Sequence, residues 1–150
     1  MSDALRAVIG AFLETQSTLA LATVNAAGLP ESAPVYYVSD DQLNLYWLSS
    51  ANVRHSVNLT AQARVSGAVY PAVWQWNEIS GVQIEGEAAM IKDDRIREQI
   101  LLLYLRKFAL PPAFDAAIAS SGLYVLRPRW MRLVDNSVEF GYKAELSFDV

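Results

Sequence analysis

The sequence contains no cysteine and a single histidine among its 150 residues. Without cysteine the chain has no disulfide, no thiolate metal site and no cysteine nucleophile. One histidine cannot build a multi-histidine zinc centre within one chain, so no metal site is expected. No general base is evident from the pattern of residues either, and no catalytic residue is predicted.

Charged residues make up only 19% of the chain, and the formal net charge is −4. A nucleic-acid binder normally carries a basic face, so this acidic balance argues against nucleic acid as a partner. No apolar run approaches the roughly 18 residues that a membrane helix needs, and Asp3 and Glu14 interrupt the apolar N-terminal stretch. We therefore expect a soluble, cytoplasmic protein with no membrane partner.

Hydrophobic residues account for 53% of the sequence. A chain of this length fits one domain with one core, and no linker, internal repeat or low-complexity stretch divides residues 1–150. So large an apolar share on so short a chain suggests that part of it is buried against a second subunit.

Hydrophobic periodicity predicts many short strands and a few helices. Helices are predicted over residues 3–15 and 92–107, with a short helical turn around 114–119. Strands are predicted over residues 17–25, 31–38, 43–48, 63–70, 78–91, 122–135 and 137–140. Together these elements predict a small antiparallel barrel with helices packed outside it.

Residues 45–59 have the pattern of a strand followed by a short helix. The alternation ends at Ser49 and Ser50, and Arg54 and His55 lie near the start of the helical run. A serine is a preferred helix N-cap, and the positive end of a helix, hydroxyl groups and a guanidinium together suit a phosphate group. The alternative interpretation is a plain helix cap followed by a solvated arginine.

Two strand positions are unusual. Pro34 lies inside the strand predicted over residues 31–38. Because proline cannot donate to a β ladder, we expect this position at an edge, a bulge or the rim of the barrel. Gln83 stands between Val82 and Ile84, where it either faces solvent or lines a polar part of the barrel wall.

The order of these motifs resembles the FMN-binding split-barrel proteins related to pyridoxamine 5′-phosphate oxidase, in particular a short, poorly characterised branch. Residues 19–37 are similar to the first hairpin of that family, and residues 45–59 to its phosphate segment. Residues 63–69 and 81–88 are similar to its next two strands. The resemblance implies a mainly β fold, a six- to seven-stranded antiparallel split β-barrel with flanking helices, and a homodimer with FMN in each interface.

In that family a hydroxyl at the end of the third strand and an Arg-Lys pair contact the flavin phosphate. Ser49, with Ser50 beside it, matches the hydroxyl, and Arg54 and His55 match the pair. Histidine in place of lysine is a departure, because histidine is only partly charged at neutral pH. The resemblance therefore implies a phosphate site whose affinity is lowered or depends on pH.

The same resemblance implies contacts with the flavin ring. Pro34, Val35 and Tyr36 match the strand whose backbone runs along the isoalloxazine ring, while Gly81 and Gln83 match the strand that approaches it from the partner subunit. The C-terminal motif that contacts the pyridoxal substrate in the oxidase is not recognisable. Its absence argues against pyridoxamine 5′-phosphate as the substrate.

Three functions are compatible with these residues. The first is an FMN-dependent oxidoreductase acting on an unknown small molecule, with a reduced nicotinamide as a candidate electron donor. The second is a flavin or haem carrier, sensor or storage protein without turnover, in which haem would need His55, the sole histidine, as its axial ligand. The third is a dimer that has lost its cofactor.

Overall fold

Seven antiparallel strands among residues 2–149, the part of the chain that the computed structural model describes, form one sheet. The strands are β1 (Thr18–Val24), β2 (Pro30–Ser39), β3 (Leu45–Ser49), β4 (Arg64–Val69), β5 (Ser80–Met90), β6 (Gly122–Asp135) and β7 (Lys143–Ser147). The helices are α1 (Ser2–Thr15), α2 (Arg54–Ala61), α3 (Asp94–Lys107) and α4 (Asp115–Ser120), with 3₁₀ turns at Trp76–Glu78 and Pro112–Phe114.

The sheet closes on itself into a barrel. Its strand order is β3-β2-β1-β4-β5-β6-β7. Because β3 also pairs with β6, the six strands from β3 to β6 in this order form a closed ring, and β7 extends the sheet beyond it. This closure is possible because β6 is 14 residues long. Up to Leu126 it pairs with β3, and from Trp130 onward it pairs with β7. The predicted mainly β barrel is therefore confirmed.

Large apolar side chains from alternate strand positions fill the barrel. Leu19 and Leu21 of β1 and Trp47 of β3 are fully buried. Trp47 stacks on Tyr124 of β6, with the ring centroids 5.9 Å apart. Burial of side chains of this size is the main source of stability for such a core.

The helices α1 and α3 pack on the sheet at different places. α1 contributes Ile9 and Leu13 to the barrel core. α3 instead forms a second apolar cluster, in which its Ile100 and Tyr104 pack with Val38 of β2. Among the described residues, no helix is both long enough and apolar enough to cross a bilayer.

The last strand differs from the prediction. The sequence predicts a closing strand over residues 137–140, whereas residues 136–141 form turns and β7 begins only at Lys143. The turn is stabilised locally, because the Asp135 carboxylate accepts hydrogen bonds from the backbone N–H and the hydroxyl of Ser137, at 2.9 and 2.6 Å. Gly141 completes it with a positive φ of 76°.

Candidate functional site

The candidate site lies at the corner where β3 ends and α2 begins. Val53 is the N-cap of α2 and makes no side-chain hydrogen bond to the helix. Ser50 Oγ instead accepts a hydrogen bond from the Asn52 N–H at 3.3 Å. The predicted serine cap is therefore wrong, because a turn separates the serines from the first helical residue. As a result, no side chain among residues 2–149 caps the first-turn amides of α2.

His55, the second residue of α2, turns back toward β3. Its Nε2 lies 2.8 Å from Ser49 Oγ, at hydrogen-bond distance. The ring is half-buried, and burial lowers the pKa of His55 from its ordinary value of 6.5. His55 is therefore mostly neutral at pH 7. The structure thus brings two of the predicted site residues into direct contact.

The Arg54 guanidinium binds a carboxylate that no motif of the sequence predicts as its partner. Its Nη2 group donates a hydrogen bond to Glu31 Oε2 of β2. Glu31 also accepts hydrogen bonds from Asn58 at 2.8 Å and from Asn25 at 3.3 Å. The hydrogen bond from Asn58, supported by Asn25 and Arg54, lowers the pKa of Glu31, so this carboxylate is charged at neutral pH.

Asn58 connects the corner to the barrel wall. It follows Arg54 by one helical turn, so both side chains project from the same face of α2. Its amide nitrogen donates to Glu31 and also to Thr23 Oγ1 of β1, at 3.0 Å. Thr23 is buried because it occupies an inward position of β1. Strand alternation places Thr23 on the inward face of β1, and helical spacing places Asn58 on one side of the short helix, but no local pattern predicts that they meet each other or Glu31.

A cavity of about 470 Å³ opens beside the corner. Residues 31–33 of β2 and residues 52–55 before and within α2 contribute to its lining. With His55 neutral, the charged groups of this lining are Arg54 and Glu31, whose charges oppose each other. The cavity therefore offers hydrogen-bond donors to an anion, but its lining carries no net positive charge.

The three predicted ring contacts on β2 face in two directions. Val35 belongs to the barrel core and is 7% exposed, whereas Pro34 and Tyr36 lie on the outer face. Tyr36 stacks on Phe108 at the end of α3, with centroids 5.1 Å apart. β3 pairs with β2 only from Tyr37 onward, so Pro34 lies in the part of β2 that has only β1 beside it, as expected for an edge. These residues come directly after the cavity-lining residues 31–33 of β2 but do not themselves line the cavity.

Gly81 and Gln83 lie on β5, which is three strands away from β2. Gln83 pairs with Ala68 of β4. Ala68 pairs with Ala20 of β1, and Ala20 pairs with Pro34. Because directly paired residues share a face, Gln83 and Pro34 lie on the same outer face, about 14 Å apart at the usual strand spacing. A single chain therefore does not bring these β5 residues to the corner.

The chain matches the family model described as pyridoxamine 5′-phosphate oxidase over residues 5–135. The protein belongs to this family. The match runs from α1 to the end of β6, so it includes the corner and both strands that carry the predicted ring contacts. The resemblance inferred from the order of the motifs is confirmed.

Known relatives agree with the family and the fold. A UPF0306 protein of Enterobacter sp. strain 638 is 29% identical over 111 residues, which cover 72% of each chain. A conserved hypothetical protein of Mycobacterium tuberculosis matches with a TM-score of 0.78 at 20% identity, over 96% of this chain and 91% of the other. HutZ, the haem storage protein of Vibrio cholerae, matches with a TM-score of 0.70 at 20% identity, over 94% and 92%. At these identities the two structures establish the split-barrel fold alone.

Proposed function

We propose that this member of the pyridoxamine 5′-phosphate oxidase family binds FMN and acts as an oxidoreductase on a small-molecule substrate. The observation that carries the proposal is the corner between β3 and α2, where uncapped helix amides, a hydroxyl–imidazole pair and an exposed guanidinium adjoin one cavity. Such a set of donors is typical of a phosphate site at a helix N-terminus. FMN would supply the electron chemistry through its ring.

One further feature of the corner fits a phosphate group. Arg54 contacts Glu31 through Nη2, so its other N–H groups are available to a second anion.

At this site the protein's own groups would bind and orient the cofactor. Arg54 and the first-turn amides of α2 would donate to the phosphate. Ser49 would hold the His55 ring in one orientation through their hydrogen bond at 2.8 Å. The outer edge of residues 34–36 would lie along the flavin ring. We assign no catalytic acid or base.

We also propose a homodimer with FMN at the interface. The outer face of β1 and β4 carries a strip of small side chains, namely Ala20, Ala22, Ser66 and Ala68. Gln83 borders this strip on one side and Pro34 on the other. A second copy packed against the strip would bring its own β5 toward the cavity. The 97% exposure of Trp74 also supports a partner surface, because tryptophan is usually well buried.

Haem binding is the alternative within the same fold. His55 is the sole histidine, and its Nε2 is within hydrogen-bond distance of Ser49 Oγ. Iron ligation through Nε2 would break that hydrogen bond, so the geometry supports flavin over haem. The non-enzymatic form of the proposal is therefore a flavin carrier.

Titration of FMN into the purified protein tests the proposal. Arg54→Ala removes the guanidinium, and a hydrogen bond to a charged group contributes roughly 1.5–3 kcal/mol, so FMN affinity should fall about tenfold to a hundredfold. Arg95→Ala is the matched control, because Arg95 is exposed on α3 and lies outside this cavity. Its Kd should equal that of the parent.

Two outcomes would contradict parts of the proposal. An Arg54→Ala variant that binds FMN as tightly as the parent would show that the phosphate does not bind at this corner. Anaerobic addition of NADH or NADPH should bleach the bound flavin. Flavin that binds but keeps its colour would exclude nicotinamides as donors and favour the carrier function.

A further inference from the structure

Glu31 is held at the corner by more than its ion pair with Arg54. One carboxylate oxygen accepts from Asn58 at 2.8 Å, and the other accepts from Arg54 and from Asn25, the latter at 3.3 Å. Withdrawal of the carboxylate would break its hydrogen bonds to both asparagines. The Arg54 side chain, in contrast, is 84% exposed and can reorient without such a loss. Glu31 is therefore the fixed partner of the pair.

The charge of the corner is balanced at neutral pH. The negative charge of Glu31 opposes the positive charge of Arg54, and half-buried His55 adds little positive charge. The remaining side chains that contribute to the cavity among the described residues are threonine, serine, alanine, asparagine and valine, which are uncharged. A phosphate that enters this cavity therefore meets a fixed carboxylate without a surplus of positive charge.

We propose that Glu31 is an internal counter-ion that offsets the positive charge of Arg54 and lowers the preference of the site for FMN over riboflavin. The inference rests on the proposed FMN site and concerns its selectivity. Like-charge repulsion over a few ångströms grows with the charge of the ligand. Glu31 thus disfavours FMN, which carries a phosphate, and leaves riboflavin, which carries none, unaffected. Selectivity arises from a repulsive element as well as from attractive ones.

Glu31→Gln tests the inference, because glutamine keeps an oxygen that accepts from Asn58 but carries no charge. We expect the Kd for FMN to fall about tenfold and the Kd for riboflavin to change by less than about twofold. The ratio of the two Kd values should therefore shift by about tenfold toward FMN. The shift should shrink modestly as sodium chloride is added, because salt partly screens the repulsion between the phosphate and Glu31, whose side chain is 19% exposed.

Glu145→Gln is the matched control. Glu145 of β7 accepts from Nε and Nη2 of Arg132 at 2.9 and 2.6 Å, and neither residue lines the cavity. Its loss should leave both Kd values unchanged. Glu31→Ala is a second variant without the charge, and circular dichroism establishes that each variant is folded before its ratio is interpreted.

The outcomes separate this inference from the proposed function. FMN binding by the parent with an unchanged ratio in the folded variants would overturn the inference alone. A weaker affinity for FMN in the variants would also overturn it, since Glu31 would then act by positioning Arg54. Failure of the parent and the variants to bind either flavin would overturn the inference together with the proposed function. FMN binding that appears only after the charge is removed would support it.

Discussion

His55 is a residue whose surroundings decide its charge. The lysine of the family's Arg-Lys pair would carry a permanent positive charge. At that position this chain has a half-buried imidazole with a lowered pKa. The ring is bound to Ser49, so it contributes a hydrogen bond to the corner but little charge at pH 7. The pH-dependent phosphate affinity expected from the sequence stays a prediction, and it has a counterpart in the stability of the fold.

The free energy of unfolding should depend on the protonation of His55. Between its lowered pKa in the folded state and 6.5 in the unfolded chain, the unfolded state binds more protons, so stability rises with pH. We expect a lower urea midpoint at pH 5 than at pH 7 in the parent. His55→Gln should flatten part of that slope, because no other histidine titrates. Equal slopes in the two proteins would contradict the lowered pKa.

At the scale of elements, α2 is held in place by polar contacts as well as by apolar packing. Its buried residues are Ser56, Asn58 and Leu59, so only one of the three is apolar. Asn58 compensates by donating to Thr23 on β1 and to Glu31 on β2. The position of the helix, and therefore the direction of its amides at the corner, depends on this network as much as on hydrophobic packing.

The pairing of β5 with β6 depends on Gly86, where the register shifts between Glu85 and Gly86. A Cβ at Gly86 would collide with the carbonyl oxygen of Arg127 on β6. Because the obstacle is backbone in a paired strand, it cannot move aside as a side chain would. We expect Gly86→Ala to lower the free energy of unfolding by about 1–3 kcal/mol, measured by urea denaturation.

Gly10→Ala on α1 is the control for this substitution. A Cβ at Gly10 would lie 3.4 Å from Leu43 Cδ2, a contact at the edge of the ordinary range. Alanine is also the better helix former, by roughly 1 kcal/mol in a helix interior. A Gly86→Ala protein as stable as the Gly10→Ala protein would contradict the close approach of the two strands.

At the scale of the whole molecule, the proposed cofactor site needs two chains. Light scattering of the parent should give about twice the chain mass of 16.6 kDa. Ala68→Arg places a charge within the strip of small residues, so it should yield the single-chain mass and weaken FMN binding. Ala116→Arg, exposed on α4, is the control and should change neither quantity. A parent that binds FMN at the mass of a single chain would contradict the interfacial site.

The fold was largely predictable because it follows from local patterns. Alternation predicted β1 and β2 within a residue or two, since inward positions such as Leu19 and Leu21 must be apolar in any barrel of this kind. The prediction of a strand over residues 137–140 was wrong because it relied on the same alternation. Val138 and Phe140 alternate with polar residues, but they are 61% and 80% exposed on a turn. Alternation alone cannot distinguish an exposed turn from a strand.

The sequence by itself determined the barrel, the family and the residues available at the corner between β3 and α2. Only the tertiary structure decided how they are paired. Arg54 meets Glu31 across 23 positions of the chain, and Asn58 meets Glu31 across 27. Such partners come together only when β2 and α2 pack side by side. No local pattern in the sequence indicates which charged side chains will face each other. The charge of the corner is therefore a property of the folded chain.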